Sequence, residues 1–595
     1  MAYQAPLNDL RFALHTHGRL PEILALPKSA GLDDETVNAV LEEAAKFAET
    51  ALADTNRVGD LNGAKLVDGK VVCDPAIANA FNEFRDAGWV GLRAAAEFDG
   101  QGLPMTVAAA CEEMWCSANL AFSLLPMLTL GAFEALNHHG SPELKQLFMP
   151  NMATGVWSGT MNLTEPQAGS DLAQVACKAK PLGDGTYAID GQKIFITWGD
   201  HELVDNIVHM VLARLPDAAP GVKGISLFLV PKYWVEADGS MGAYNHAHAV
   251  SLEHKMGIHA SPTCVMAFEG ARGHLIGEAG KGLNYMFTMM NHARLGVGIE
   301  GHAVAERAYQ HALAYAHERV QSRSISSDSK EPVSIIHHPD VRRMLLQQKA
   351  TLEAQRAVYL QAAAALDTAE SHPSPDVQKQ AQAALDFLIP IVKGWSTENG
   401  TTLTNLAMQV FGGMGFIEET GAAQFVRDVR ITAIYEGTNG IQALDFIGRK
   451  TASNGGVVAK AFIAEGRAVA AKLTNEQGLA DKLNRALDLA EASVDYIVAQ
   501  FAGNNADFAA ASSYAYLMQF GVTLGGIEMA RAHIAAGKAL ANESEQDLGE
   551  DFYRNKQATA RAYIDLVLPQ VLAYHEQVLG SAAAIMDYPL SALSV

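Results

Sequence analysis

A block of short β-forming runs, roughly residues 156–280, interrupts a chain whose apolar residues otherwise recur at helical spacing. Any fold for this chain has to accommodate helix, then sheet, then helix again. Upstream of the block, Val37, Leu41, Ala44, Phe47 and Leu52 recur at near-helical intervals. Asp33, Asp34 and Glu35 put negative charge at the first turn, where the helix dipole favours it. Further helices are expected over 76–87, 107–120 and 132–138, punctuated by Asp99-Gly100-Gln101-Gly102-Leu103-Pro104. Within the block, Tyr187 to Ile196 reads as two strands folded about an Asp190-Gly191 turn. Strands over 207–215, 224–230 and 264–268 follow.

Helix resumes at Gly282 and runs to about Lys450, broken by the polar segment from Ser324 to Pro332. Beyond the linker Ala452-Ser453-Asn454-Gly455-Gly456, Leu479, Leu483, Leu487, Val494 and Phe501 trace another helical stripe, and 514–540 and 552–579 continue the pattern. The expected architecture is α+β in four parts. A helical domain spans 1–155, a β domain 156–280, a helical bundle 281–450 and a helical extension 451–595, whose apolar face packs on the body of the protein.

Charge and cysteine usage exclude several classes of function. With 44 basic against 66 acidic residues the net charge is −22, which disfavours nucleic acid and anionic membranes as partners. Five scattered cysteines with no Cys-x-x-Cys pair do not form a disulfide framework and fit a reducing compartment. The apolar runs are broken by polar residues before they reach membrane-span length, and the opening residues carry no basic region followed by an apolar core. A cytoplasmic location is therefore expected. His138-His139, His246-Ala247-His248 and His337-His338 lack the carboxylate context and spacing of a metal site, so no metal is expected.

Three stretches carry chemistry. Leu163-Thr164-Glu165-Pro166-Gln167-Ala168-Gly169-Ser170-Asp171 is a turn able to present backbone N–H groups and hydroxyls to the polar edge of a flat ligand. Lys193-Ile194-Phe195-Ile196-Thr197-Trp198-Gly199 offers an aromatic face and a hydroxyl on one strand. Ile434-Tyr435-Glu436-Gly437-Thr438-Asn439-Gly440 sets a single carboxylate, Glu436, beside glycines that leave the neighbouring backbone accessible. A proton-abstracting base next to N–H donors that receive developing negative charge has this composition; so does a surface glutamate at a helix end.

Together these stretches resemble the signatures of the acyl-CoA dehydrogenase family, in order, from about residue 33 to 450. The resemblance implies an acyl-CoA dehydrogenase-like fold with FAD held between the β domain and the bundle. It implies that Leu163, Thr164, Gly169, Ser170, Phe195, Thr197 and Thr438 contact the cofactor, Phe195 standing where the family often has Trp. Ser170, Asn291, Arg294, Glu436 and Gly437 would meet the acyl-CoA, with Glu436 as the catalytic base. Arg319 would reach the FAD pyrophosphate, although Arg319-Val320-Gln321-Ser322-Arg323 departs from the family's Arg-x-Gln-Phe-Gly, and Arg323 offers a second phosphate partner. Gln409, Gly412 and Gly413, within Gln409-Val410-Phe411-Gly412-Gly413-Met414-Gly415, resemble the segment that approaches FAD bound in a neighbouring subunit, which implies a homo-oligomer, at least a dimer.

The implied reaction is α,β-dehydrogenation of an acyl-CoA to the trans-enoyl-CoA, with an electron-transfer flavoprotein as electron acceptor. The extension, the opening residues 3–12 and the segments 319–323 and 336–343 resemble one branch of the family, and that resemblance implies 3-(methylthio)propanoyl-CoA as substrate, in dimethylsulfoniopropionate breakdown. Generic short- and medium-chain dehydrogenases share that extension and are the alternative. An acyl-CoA oxidase would carry the same motifs, and a non-catalytic flavoprotein scaffold would keep the fold alone.

Overall fold

The computed structural model describes residues 3–325, 331–542, 544 and 546–594; the side chains of Thr288 and Asn291 also lie outside the description. Helix α1 (Leu7–Thr16) opens the chain, and α2 (Asp34–Phe47) begins where the acidic cluster predicts, with the Asp33 carboxylate accepting from the Thr36 N–H at 2.8 Å. Helices α3 (Pro75–Asp86), α4 (Met105–Ala118) and α5 (Leu120–His139) complete the first layer. The expectation that no apolar run reaches membrane-span length is corrected by α5, which is long and apolar enough to cross a membrane. That run is mostly buried, against α4, the sheet and the central bundle helix, so its hydrophobicity is that of a core element.

Seven strands form the main sheet of the β domain: β1 (Trp157–Asn162), β2 (Lys178–Pro181), β3 (Tyr187–Thr197), β4 (Asn206–Arg214), β5 (Ile225–Pro231), β6 (Ala247–Leu252) and β7 (Thr263–Ile276). They run β6-β7-β3-β2-β4-β1, and β5 bridges β7 and β4, so the sheet closes on itself. The Asp190-Gly191 turn is a correction. Both residues lie inside β3, Asp190 pairing with Lys178 on one side and Glu269 on the other. A bulge opposite, between Glu269 and Ala271, takes the Asp190 side chain as a hydrogen-bond partner for the Gly270 N–H at 2.8 Å. Gly191 is needed for space, since a Cβ there would come within 2.9 Å of the Cys177 sulfur. The hairpin turns earlier, at Gly183-Asp184-Gly185, where both glycines have φ near +90°.

The bundle is built on α6 (Gly282–Glu318), α7 (Pro339–Ser371) and α8 (Pro375–Val410). Ser326 to Lys330, in the polar break, lie outside the described residues. Beyond it, Val333 and Ser334 pair with 320–322, which fixes the path of the altered Arg319 segment. Buried Arg356 of α7 donates to Glu113 of α4 at 2.9 Å and to Glu306 of α6 at 3.3 Å, tying three helices together. The short helix α9 (Asn439–Asp445) follows the catalytic-motif segment.

The extension comprises α10 (Val457–Ala470), α11 (Gln477–Ala502), α12 (Ser513–Ala541), α13 (Glu550–Leu566) and α14 (Gln570–Met586). The single helical pattern read over 552–579 divides between α13 and α14, at Val567 to Pro569, where proline lacks the N–H that would continue the ladder. Helix α12 lies against α7 and α8 so closely that a Cβ on Gly521 would collide with the Trp395 ring. The opening residues clasp the same extension: His17 Nδ1 lies 2.7 Å from Glu528, Lys556 pairs with Asp9, and Phe12 meets Phe552 edge to face at 5.8 Å.

Candidate active site

Glu436 occupies a left-handed backbone conformation with φ 53°, and Gly437 follows at φ 85°. Glycine takes such a position freely, whereas a side-chain residue carries a strain of about 1 kcal/mol or more there. Two side chains hold its carbonyl. Arg294 Nε of α6 donates to the Glu436 carbonyl at 3.3 Å, and Gln442 Nε2 of α9 donates to the carbonyls of Glu436 and Gly437 at 3.2 and 3.3 Å. Thr438 caps α9, accepting from the Ile441 N–H at 3.4 Å. Asn439 is pinned to α8 by Lys393 at 2.9 Å, Thr397 at 2.9 Å and Glu398 at 2.9 Å. Among the described residues, the Glu436 N–H makes no backbone hydrogen bond, so both donor and carboxylate are open to a ligand.

Burial pushes the Glu436 carboxyl above its ordinary range, and the cations Arg294 and Lys393 pull it back. Lys393 is itself pushed down to about 7 by burial, opposed by Glu436. Behind the loop, Tyr435 donates its hydroxyl to Glu300, a buried carboxyl pushed up to about 8 by burial. Next to this group lies a small cavity of about 40 Å³, lined by Phe84, Trp89, Trp115, Cys116, Met127 and Gly296 among others. Gly296 is one turn of α6 from Glu300, and Cys116 lies within electrostatic reach of Glu300 and Tyr435. A wider cleft of about 320 Å³ opens on the other side of Arg294, edged by Phe287, Asp386, Asp445, Arg449 and Lys450. Met286, Met289 and Met290 are buried in the core on the β-domain side.

On the β domain, the loop from Leu163 is bolted to β3. The Leu163 carbonyl accepts from Lys193 Nζ at 3.0 Å and the Thr164 carbonyl from the Ile194 N–H at 2.9 Å. Lys193 is fully buried and paired with Glu165 at 2.7 Å, and Glu165 also accepts from the Ala176 and Cys177 N–H groups. This puts Leu163, Thr164, Phe195 and half-buried Thr197 on one surface, with Gly169 and Ser170 exposed at its rim. Phe195 is 59% exposed and has φ 60°. A large apolar ring in a strained conformation facing solvent costs free energy twice, which a stacked ligand would recover. The surface is anchored to the bundle where Ile258 N–H donates to Asp428 at 2.5 Å, eight residues before Glu436.

Arg319, Gln409, Gly412 and Gly413 gather elsewhere. All are exposed at the far end of α6, where Phe411 stacks on Tyr315 at 4.3 Å. A Cβ on Gly412 or Gly413 would meet nothing within 4 Å, leaving an open backbone surface. Along α6, 25 residues separate Arg294 from Arg319, roughly 37 Å at the helical rise. This group is therefore remote from Glu436 of its own chain. The Asn291 side chain falls outside the described residues. Lys393, Gln442, Glu300, Glu165 and Lys193 are the supporting residues that motif reading missed. Glu165 and Lys193 stand inside the quoted motifs, and Gln442 is spaced at one helical turn from Thr438; nothing local marks Glu300.

Comparisons with known proteins identify the family. Residues 34–156 match the model for the acyl-CoA dehydrogenase N-terminal domain, 160–271 the middle domain and 280–451 the C-terminal domain, while 459–589 match an acetyl-CoA dehydrogenase C-terminal-like domain. A 3-methylmercaptopropionyl-CoA dehydrogenase of Ruegeria pomeroyi is 44% identical over 99% of this chain and 100% of its own. A butyryl-CoA dehydrogenase of Syntrophomonas wolfei is 34% identical over 99% of this chain and 98% of its own. An acyl-CoA dehydrogenase structure from Bacillus anthracis, complexed with FAD, shares the fold at TM-score 0.71 and 20% identity, over 93% of this chain and 89% of that one. The chain belongs to the acyl-CoA dehydrogenase family. It is an FAD-dependent oxidoreductase acting on acyl-CoA thioesters. The exposed Phe195 ring, the polar edge at Leu163 and Thr164, and the open glycine surface fit a flat cofactor with an anionic tail.

Proposed function

We propose that Glu436 removes the α-proton of a short acyl-CoA whose preferred acyl group is 3-(methylthio)propanoyl. The observation that carries the base assignment is the pairing, in one residue, of a carboxylate raised by burial with an unengaged backbone N–H. The carboxylate takes the proton, and the N–H donates to the thioester oxygen on which the enolate charge grows. Losing such a fixed donor typically costs about 3 kcal/mol in the barrier. FAD, when bound, supplies the acceptor for the hydride leaving the β-carbon. Phe195 would cover the ring system and Leu163 and Thr164 would address its polar edge, while Gly437, where a Cβ would stand 2.9 Å from Gln442 Nε2, lets that side chain grip the loop. In the wider cleft Arg449 and Lys450 are paired with Asp445 and Asp386, and Arg294 is the cation left to meet an anionic or carbonyl group of CoA.

The acyl assignment is supported by the 44% identical relative, and the mostly apolar lining of the small cavity suits an uncharged acyl chain. A panel of acyl-CoAs scored by anaerobic flavin bleaching tests it. The methylthio-propionyl thioester should reduce the flavin with the highest kcat/KM. A larger value for butyryl-CoA would make this a generic short-chain enzyme, and no bleaching with any thioester would remove the catalytic reading. Electrons then pass to an electron-transfer flavoprotein; rapid peroxide release in air would argue instead for an oxidase.

The distance along α6 supports a homo-oligomer. Arg319, Gln409, Gly412 and Gly413 lie too far from Glu436 to serve the same cofactor, and a second copy would bring them to its nucleotide end. Sedimentation should give a dimer or larger, and Gly412→Val should weaken FAD retention without disturbing Glu436.

A further inference from the structure

Arg93 is an ion buried in the wall of the small cavity beside the catalytic loop. Its side chain is 6% exposed, and its Nε has no hydrogen-bond partner. Its nearest carboxylate, Glu370, is 3.9 Å away, at the limit of an ion pair. A buried N–H left without an acceptor is costly, so its presence beside an open cavity points to a partner that arrives with the ligand. The cavity is otherwise mostly apolar: Phe84, Trp89, Trp115 and Met127 form its walls, with Trp115 edge-on to Phe84 at 4.8 Å and to Trp89 at 5.3 Å. Glu112 lines the same space, one turn of α4 from Cys116, and burial pushes its carboxyl up to about 7.

The sign of the surrounding charge narrows the ligand. Glu134 and Glu370 act on Arg93 and already oppose its positive charge, while burial pushes the nearby Asp367 and Glu112 carboxyls up towards their neutral forms. A second anion would be repelled, whereas a neutral atom with a lone pair could take the free N–H.

We propose that Arg93 is a specificity-determining residue whose buried Nε–H selects a short, uncharged acyl chain carrying a lone-pair atom, thioether sulfur or ether oxygen, over the all-carbon chain of equal length. This rests on reading the cavity as the acyl site of the proposed reaction. The pair that isolates it is 3-(methylthio)propanoyl-CoA against pentanoyl-CoA, which differ only by sulfur for methylene. The holoenzyme should show a kcat/KM ratio of roughly tenfold in favour of the thioether, the modest end expected of a weak acceptor. In Arg93→Met the ratio should fall to about one; because it is a ratio within one protein, any general loss of activity cancels.

A second readout is binding. In a Glu436→Gln background, where thioesters are held without being consumed, calorimetry should show the same preference and its loss on adding Arg93→Met. Should Arg93→Met fail to fold, the enzyme with Arg93 intact still decides. Thioether and 3-methoxypropanoyl chains should both outrank pentanoyl, and glutaryl-CoA, with its anionic end, should rank last. Equal ratios for sulfur and methylene, a preference that survives Arg93→Met, or glutaryl-CoA ranking first would each overturn the proposal. Flavin bleaching by pentanoyl-CoA without any thioether preference would remove this inference alone and leave the dehydrogenase reading standing.

Discussion

The Nε of Arg294 donates to the main-chain carbonyl of Glu436 at 3.3 Å, so a side chain of the long bundle helix grips the backbone of the residue assigned as base. Arg294 is 6% exposed, and its charge acts on the Glu436 carboxylate as well. It therefore does two things at once: it maintains a strained backbone angle and it opposes the rise in pKa that burial causes. Replacing it should separate these effects.

In Arg294→Gln the carboxylate loses a stabilising cation, so its pKa rises further. The base is active when deprotonated, and activity is lost as pH falls through that pKa; the acid limb of kcat should therefore move to higher pH. Loosening the loop should lower the plateau by about tenfold, equivalent to ~1.4 kcal/mol in the barrier. Arg294→Lys keeps the charge but not the planar donor, and should restore the limb more fully than the plateau. Rapid-mixing flavin reduction between pH 5 and 9 measures both, and a limb unmoved in Arg294→Gln would contradict the assignment.

Glu436→Gln preserves shape and hydrogen bonding while removing basicity. The variant should retain FAD and bind acyl-CoA with an affinity within a few-fold of the parent. Anaerobic bleaching should slow by about a thousandfold or more, the loss expected when a positioned base is deleted. Undiminished bleaching would transfer the role to another group, such as the buried Glu300 carboxyl behind Tyr435.

How far the sequence carries can be judged at these residues. The helix-sheet-helix order and the strands over 207–215 and 224–230 follow from local period, because each element buries one face against a neighbour in a way that one stretch of sequence records. The Asp190-Gly191 error has the opposite cause. An Asp-Gly dipeptide suits a turn, but this glycine answers to Cys177, just ahead of the adjacent strand and outside any local window. Glu436 stood out because a carboxylate among glycines is chemically conspicuous. The residues that make it work, Arg294, Lys393 and Gln442, come from three helices, and only packing decides that they converge.

Phe195 offers a test that separates cofactor contact from folding. A core phenylalanine cut to alanine usually costs about 3–5 kcal/mol. This ring is exposed and its backbone strained, so Phe195→Ala should change the stability of the flavin-free protein by no more than about 1 kcal/mol. FAD affinity should nevertheless fall by about tenfold, read from fluorescence titration. A large loss of apoprotein stability with unchanged affinity would make the ring structural.

Lys193 gives the reverse pattern. It is fully buried, and removing it leaves Glu165 as an uncompensated charge under the loop that carries Leu163 and Thr164. Breaking such a pair costs about 3–5 kcal/mol. Lys193→Met should lower the urea midpoint of the flavin-free protein markedly, and the double variant Lys193→Met/Glu165→Leu should recover part of the loss. No recovery would mean that the backbone bonds from Glu165 to Ala176 and Cys177, rather than the ion pair, hold the loop.

The Glu300 carboxyl ties stability to pH in a direction that can be worked out. Burial pushes it from an ordinary value near 4.5 to about 8, despite the hydrogen bond from Tyr435. Between those values the folded protein keeps a proton that the unfolded chain has released, so rising pH favours unfolding across that window. Glu300→Gln has nothing to release and retains an acceptor for Tyr435. Relative to the parent, its melting temperature should be little changed at pH 5 and should gain progressively towards pH 8 and 9. Lys393, pushed down to about 7, works in the opposite direction, but it is present in both proteins and drops out of the comparison to first order. Calorimetric melting of the two flavin-free proteins at matched ionic strength supplies the measurement. A difference that stays flat from pH 5 to 9 would mean that Glu300 is ionised in the folded protein, and the carboxyl behind Tyr435 would then be a second anion beside Glu436.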